Sequence, residues 1–369
     1  MFENKLIKFF FLLVALLLNI NAFYASDHGK NEEEEFNVSK MIMHHIKDAH
    51  EWHLYGPEHG GASIYLPVIL SDNGIKTFSS THFYHGKEVH TKDTSGNSHH
   101  YLVGVGPAEG YALYHEKIYK LNDNGRLEFK GDHPENVKPL DLSITKNVAS
   151  LLISSSLILI IMLSMAAFYK NNGPVSPKGI AKFLEPFVIV IRDDIAKENI
   201  GKDKYEKYLP YLLTIFFFIW INNLLGLVPI FPGGANLTGN ITITFFLALC
   251  TLILTLFSSN KNYWKHIFAT PGVPVALMPI MIPIEIVGIF TKPFALMIRL
   301  FANITAGHII ILALISIIFI NKNVAWGALS VPMALFISCL ELLVAVLQAY
   351  LFALLSALFI GAAVEEAHH

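Results

Sequence analysis

Only two cysteines occur in 369 residues, Cys250 and Cys339, and both lie inside apolar runs, which leaves no disulfide framework and no cysteine metal site. Charge is scarce as well. Charged residues make up 15%, the formal net charge is -2, and no basic block is long enough to hold a polyanion, so nucleic-acid binding is excluded. Neither an H-E-x-x-H pattern nor a Cys-His spacing is present, so no metal centre and no cofactor is expected. What the chain has in excess is hydrocarbon: 53% of its residues are hydrophobic and the mean hydropathy is +0.47. Such values lie outside the range of soluble globular proteins and predict an integral membrane protein.

Lys5 and Lys8 precede the apolar run Phe9 to Leu18, with small residues at Ala22 and Ala25, the layout of a secretory signal peptide over residues 1–25. The competing reading is an uncleaved anchor helix, for which the run is short against ~30 Å of hydrocarbon. Residues 26–147 are polar, hold 13 of the 17 histidines and the acidic run Glu32 to Glu35, and contain no long apolar stretch. An exported, β-containing extension is expected there. Short β-prone runs such as Ser63 to Leu70 are separated by Asp72-Asn73-Gly74 and Asp123-Asn124-Gly125, where Asn-Gly favours tight hairpin turns. His44, His45, His50 and His53, like His82, His85 and His90, are read as exposed polar residues in preference to metal ligands.

Val148 to Phe168 spans ~31 Å as a helix, enough for a first crossing. Eight Lys or Arg residues follow between 169 and 208, which makes that loop cytoplasmic. Within it Ile180, Phe183, Leu184, Phe187, Val188 and Ile191 recur at helical spacing, interrupted at Pro186, and predict an amphipathic segment at the membrane surface. Leu209 to Phe231 and Ile241 to Phe257 are the second and third spans, joined by an uncharged external turn. Asn222 and Asn223 are expected to hydrogen-bond between helices, with the lining of a polar entry path as the alternative. Residues 271–292 hold Pro271, Pro274, Pro279 and Pro283 around one acid, Glu285, so a straight helix is not expected and Glu285 should border a polar cavity. Pro293 to Ile320 and Val331 to Val364 then reach ~42 Å and ~50 Å, an antiparallel and strongly tilted pair. The fold class is thus an all-α polytopic membrane protein of about five transmembrane helices, the last two long, with a small β-rich N-terminal extension.

One arginine, Arg299, lies in the fourth of these apolar segments. At the centre of a membrane helix it costs at least ~2.5–3.5 kcal/mol, so it persists only where it faces protein or water. Ala295, Ala302, Asn303 and Ala306 fall within ~40° of it on a helix, a small-residue face open to close approach. His308 points to the opposite side. On the last helix Glu341 and Gln348 share one face with Ser338 and Ala345. Antiparallel pairing can bring Glu341 to His308, and a carboxylate with an imidazole inside a membrane is the material of a proton relay. The plainer alternative is that these groups pin helices together by buried hydrogen bonds. A secondary transporter or channel using Arg299 for an anionic substrate would predict inverted repeats, and none is visible. A metalloenzyme built on His308 and Glu341 lacks a third ligand.

The run Lys292-Pro-Phe-Ala-Leu-Met-Ile-Arg-Leu-Phe-Ala-Asn-Ile-Thr-Ala-Gly-His308 closely resembles the signature of subunit a of the F-type ATP synthase, roughly P-x-x-L-x-x-R-L-F-x-N-x-x-A-G. The likeness extends from about Asn147 to the end, including Asn222-Asn-Leu-Leu-Gly226 and the Glu341 to Gln348 spacing, and leaves residues 26–147 outside. The resemblance implies a proton-translocating stator subunit with two aqueous half-channels and no catalytic site of its own. By it Arg299 faces a rotating ring of c subunits, Asn303 lies one turn away, and Glu285, His308, Glu341 and Gln348 line the outer half-channel. It further implies the c ring, peripheral-stalk b subunits and the lipid bilayer as partners. The expected location is an inner membrane, crossed several times, with a periplasmic extension and a cytoplasmic C-terminus.

Overall fold

A computed structural model describes residues 42–366, apart from 44–45, 56–61, 73, 93–97, 132, 174, 178, 229–232 and 270–273. The expected signal peptide, residues 1–25, lies outside the described residues. The chain divides into two compact units, the first built mainly from 43–153 with 230–235 and the second from 154–229 with 236–369.

In the first unit the β-prone run breaks at Leu66 into two strands of different sheets. β1 (Glu51–Tyr55) pairs antiparallel with β2 (Ala62–Tyr65), whereas β3 (Pro67–Ser71) pairs with β4 (Ile75–Ser79). Alternation along β3 buries Val68 and Leu70 completely, as a half-buried strand requires. After the single turn α1 (Thr81–Tyr84), a meander of β5 (Lys87–Lys92), β6 (Ser98–Val103), β7 (Tyr111–Tyr114) and β8 (Lys117–Lys120) forms a third sheet. Short pieces β9 (Phe129–Lys130) and β10 (His133–Pro134) pair with each other, and β11 (Leu140–Asp141) joins β3 as an edge strand. Val68, Leu70 and Phe78 meet Tyr111, Leu113 and Ile118 in one core. The opposite side of the meander buries Tyr101, Tyr114, Tyr119 and Leu127.

The two Asn-Gly sites part company. At 72–74 the backbone amide of Asp72 donates to Gly74 O, and a hairpin follows. At Asp123-Asn124-Gly125 the chain turns, but the flanking segments do not pair. The Asn136 side chain fills the concavity by donating to Lys120 O and Asn122 Oδ1 and accepting from Glu128 N. The hairpin that does form there, β7 to β8, turns at His115 and Glu116, with φ of 48° and 61°. Two consecutive left-handed residues match the I′ geometry of two-residue hairpins, without the usual Asn-Gly.

Among the described residues five helices are long and apolar enough to cross a membrane, and the chain is a multi-pass membrane protein. They are α2 (Lys146–Asn172), α5 (Tyr205–Leu227), α6 (Ile241–Ser258), α8 (Met278–Ile320) and the last segment, a 3-10 turn Val324–Trp326 running into α9 (Gly327–Val364). Between α2 and α5 lie α3 (Ile180–Val190), a π-helical stretch Ile191–Lys197 and the short α4 (Glu198–Ile200). α7 (Lys261–Phe268) separates α6 from α8.

α2 starts against the extension. Asp48 accepts from the Asn147 amide at 3.0 Å and from Thr145 Oγ1 at 2.8 Å, so a carboxylate distant in sequence satisfies one orphan donor of the first turn. Asp48→Ala is expected to cost about 1 kcal/mol, read as faster hydrogen exchange at the first amides of α2; unchanged exchange would contradict the capping role.

Two expectations about helices are corrected. Pro186 does not interrupt α3, because it removes a single bond, and the irregularity falls later, in the π-helical stretch. There Asp193 accepts from Arg192 at 2.7 Å and Lys197 at 2.6 Å, which hold its carboxyl well below the usual range. The proline-rich run also does not stand apart from the arginine helix. Pro279 sits in the first turn of α8, where amides lack partners anyway, and Pro283 and Pro293 each delete one bond of a 43-residue helix. At ~1.5 Å per residue α8 is ~65 Å long, twice the ~30 Å apolar core of a bilayer.

In the second unit α9 packs along α5 and α8, with α6 beside them. Its far end is held closely. The Val364 carbonyl accepts from Lys204 Nζ and Asn260 Nδ2, both at 2.9 Å, which satisfies a terminal acceptor. Gly361 lets α4 approach so near that a Cβ there would lie 1.9 Å from Asn199 O.

Candidate functional site

The sides of α8 have unlike chemistry because its sequence alternates at helical period. Leu296, Met297, Leu300 and Ile304 are buried within the second unit. Ala295, Arg299, Ala302, Asn303 and Ala306 are all exposed on the other side. Among the described residues Arg299 has no ion-pair partner. An unpaired guanidinium on a membrane-spanning helix is stable only where water or a partner covers it.

His308 turns the other way. Its Nδ1 lies 2.6 Å from Glu341 Oε1, with the two side chains 15% and 4% exposed. Gly307 makes room, since a Cβ there would sit 2.7 Å from that carboxylate oxygen. The second oxygen, Oε2, is buried without a partner. Gln348 is buried two turns further along α9. Ser338 is spent on its own helix, donating to Ala334 O.

A polar array continues from this pair. Thr305, one turn before His308, donates to Gly239 O at 3.4 Å. Thr238 donates to Asn223 Oδ1, and Asn236 Oδ1 accepts from the Gly239 amide at 2.9 Å. Asn222 and Asn223 therefore do not join two helices: Asn222 bonds back to Phe218 O on its own helix, and Asn223 bonds the connection to α6. Asn222 Oδ1, Asn223 Nδ2 and Asn236 Nδ2 are buried and unsatisfied, as is Glu341 Oε2. Each such atom costs about 1–3 kcal/mol if left dry, so the array is a set of donors and acceptors suited to ordered water.

Glu285 is not part of this array. Twenty-three residues of continuous helix separate it from His308, about 34 Å along the axis, with Arg299 between them. Glu285 is thus set apart from the His308–Glu341 pair along the unbroken α8. Glu285 lies instead near Tyr263 of α7, whose hydroxyl is pushed up by burial and by the Glu285 charge. Tyr263 also lines a small cavity of about 20 Å³, together with Thr255, Ile289, Lys292 and Phe359, among others. Sequence reasoning passed over Lys292, although Glu285, Lys292 and Arg299 recur at intervals of seven and so share one stripe. Thr238 and Thr305 carried no signal, because their partners are distant in sequence.

A family model described as ATP synthase A chain matches residues 149–361. A second, described as a domain of unknown function, matches residues 41–142. ATP synthase subunit a of Chlorobium phaeobacteroides is 50% identical over 236 residues, covering 62% of this chain and 67% of that protein. ATP synthase subunit a 2 of Prosthecochloris aestuarii is 41% identical over 319 residues, covering 83% of this chain and 93% of its own. ATP synthase subunit a of Myxococcus xanthus is 45% identical over 240 residues, with 62% of this chain and 76% of that one aligned.

Proposed function

Because this chain belongs to the ATP synthase A chain family, we propose that it is the proton-translocating stator subunit of an F-type ATP synthase, working against a rotating ring of c subunits. The observation that carries this reading is the division of α8 between an exposed, unpaired Arg299 and a partly buried His308–Glu341 pair on the opposite side.

Two aqueous half-channels end at the face that carries Arg299 and do not meet. In the outer one, protons reach His308 and Glu341 past Asn223, Thr238 and Thr305, with Gln348 further along α9. The imidazole carries two ring nitrogens, one able to accept a proton while the other donates, and Glu341 keeps one oxygen free to take or pass a proton. The proton then neutralises a carboxylate of the ring, which crosses lipid only uncharged, since a bare carboxylate there is very costly. After nearly a full turn that carboxylate meets the inner half-channel and releases its proton. Arg299 favours the ionised form by its positive charge and bars direct passage between the channels; Asn303 stands beside it. Glu285, beyond Arg299 from the His308 pair, belongs with the inner route beside Lys292 and Tyr263. Each proton crossing 100 mV supplies ~2.3 kcal/mol, so several must pass per ATP.

In this reading residues 1–25 are a signal peptide, 26–147 an exported extension and 148–369 the membrane domain. The C-terminus is cytoplasmic and the peripheral-stalk b subunits are further partners. Glu341→Gln keeps shape and volume but removes the carboxylate. ATP-driven acidification of membrane vesicles containing the assembled complex is expected to slow about a hundredfold, the low end of what a positioned proton-transfer group contributes. A rate equal to the unmodified complex would remove Glu341 from the route.

A further inference from the structure

The extension lies outside the region matched by the ATP synthase A chain model, yet its compact unit includes residues 230–235, from the connection between α5 and α6. Trp52 on β1 is 3% exposed and donates its indole N–H to Gly233 O at 3.3 Å. Its ring shares a buried cluster with Leu66, Ala149, Ile153 and Ala235. A tryptophan with one apolar body and one polar handle suits the task of gripping backbone. The gripped segment needs a grip: Gly233 and Gly234 are consecutive, Gly234 has a φ of 78°, and glycine backbone does not restrain itself.

Directly after Ala235 the chain supplies the turn of the polar array beside His308: Asn236 accepts from the Gly239 amide, Thr238 donates to Asn223, and the Gly239 carbonyl accepts from Thr305. Consecutive Cα atoms are only ~3.8 Å apart, so the placement of Ala235 sets where that turn begins.

We propose that the exported extension is a positioning element for the proton route, with Trp52 as the positioning residue that holds Gly233–Ala235 and thereby fixes the polar turn 236–240. The proposal rests on the proton-translocating reading above. It assigns the extension a mechanical task, for which its histidines are not required.

The test uses the whole complex in membrane vesicles and normalises pumping to the amount of complex assembled. Trp52→Ala is expected to lower the rate per complex about tenfold, in line with the steep cost of small misplacements near a reacting group, and to alter its dependence on outer pH. Trp52→Phe, which keeps the ring but lacks the N–H, should fall between. A merely stabilising role would reduce the amount of complex and leave rate per complex and pH dependence unchanged. That result, with Arg299→Ala inactive, overturns the proposal while sparing the functional reading. Should Trp52→Ala fail to assemble, Trp52→Phe decides, and an unchanged rate and profile overturns it. Labelling of Ala235→Cys by an impermeant maleimide, with Cys250→Ala and Cys339→Ala, reads the loop directly. Faster labelling in Trp52→Phe supports the clamp even if Arg299→Ala still pumps, and equal labelling refutes it.

Discussion

Arg299→Ala abolishes ATP-driven proton pumping while the complex still assembles. The expectation rests on where the arginine is placed. Its side chain is exposed, no carboxylate of the described residues pairs with it, and its neighbours on that face are alanines and Asn303. Removing it therefore takes no contact from the core beneath, which Leu296, Leu300 and Ile304 continue to fill. It also relieves a cost of at least ~2.5–3.5 kcal/mol for a charge at membrane depth, so the fold should be no weaker. What is lost is the fixed positive charge that favours an ionised ring carboxylate. Arg299→Lys is expected to fail as well, because an ammonium is a point charge whose proton is easily shed in apolar surroundings. The measurement is vesicle acidification alongside co-purification of the ring. Retained pumping in Arg299→Ala would sink the proposed function.

The second large effect lies at the far end of α9. Gly361→Ala places a Cβ 1.9 Å from the backbone oxygen of Asn199. That oxygen cannot step aside, since α4 is held between the π-helical stretch and the turn at Gly201, and Asn199 Nδ2 also bonds Ile195 O. Overpacking of this kind costs about 1–3 kcal/mol and more where backbone must move. The same end of α9 carries the Val364 carbonyl bonded by Lys204 and Asn260. Gly361→Ala is expected to deplete assembled complex, seen as loss of the subunit from purified membranes at growth temperature. A normal yield with an unchanged denaturation midpoint would show that α4 yields.

The arginine face and the His308–Glu341 pair were legible because both depend on one period. Steps of three, four and seven residues keep Ala295, Ala302, Asn303 and Ala306 with Arg299, and a step of nine turns His308 away. The five spans were legible from length and hydropathy, with ends displaced by a few residues, as at Lys146–Asn172 against the expected Val148 to Phe168. Prolines misled the reading of α8. Pro279 is nearly free of cost in a first turn, and position within a helix, not composition, decides what a proline does. Asp123-Asn124-Gly125 misled in another way, because local turn preference was met while Asn136 took the bonds that strand pairing would have used. The I′ turn at His115-Glu116 had no local signal at all. Contacts such as Thr305 to Gly239 and Trp52 to Gly233 are tertiary and leave no mark on spacing.

That α8 runs unbroken from Met278 to Ile320 also governs what can lie against it. Glu285, Lys292, Arg299 and Ala306 stand seven residues apart, and seven residues fall short of two full turns by about 20°. Their row winds slowly around the rod in a left-handed sense. A straight helix that is to meet one negative and then two positive groups in succession must cross α8 obliquely, near the ~20° of left-handed coiled coils. A partner passing upright would engage one charge at a time, and the order in which it did so would be set by its tilt.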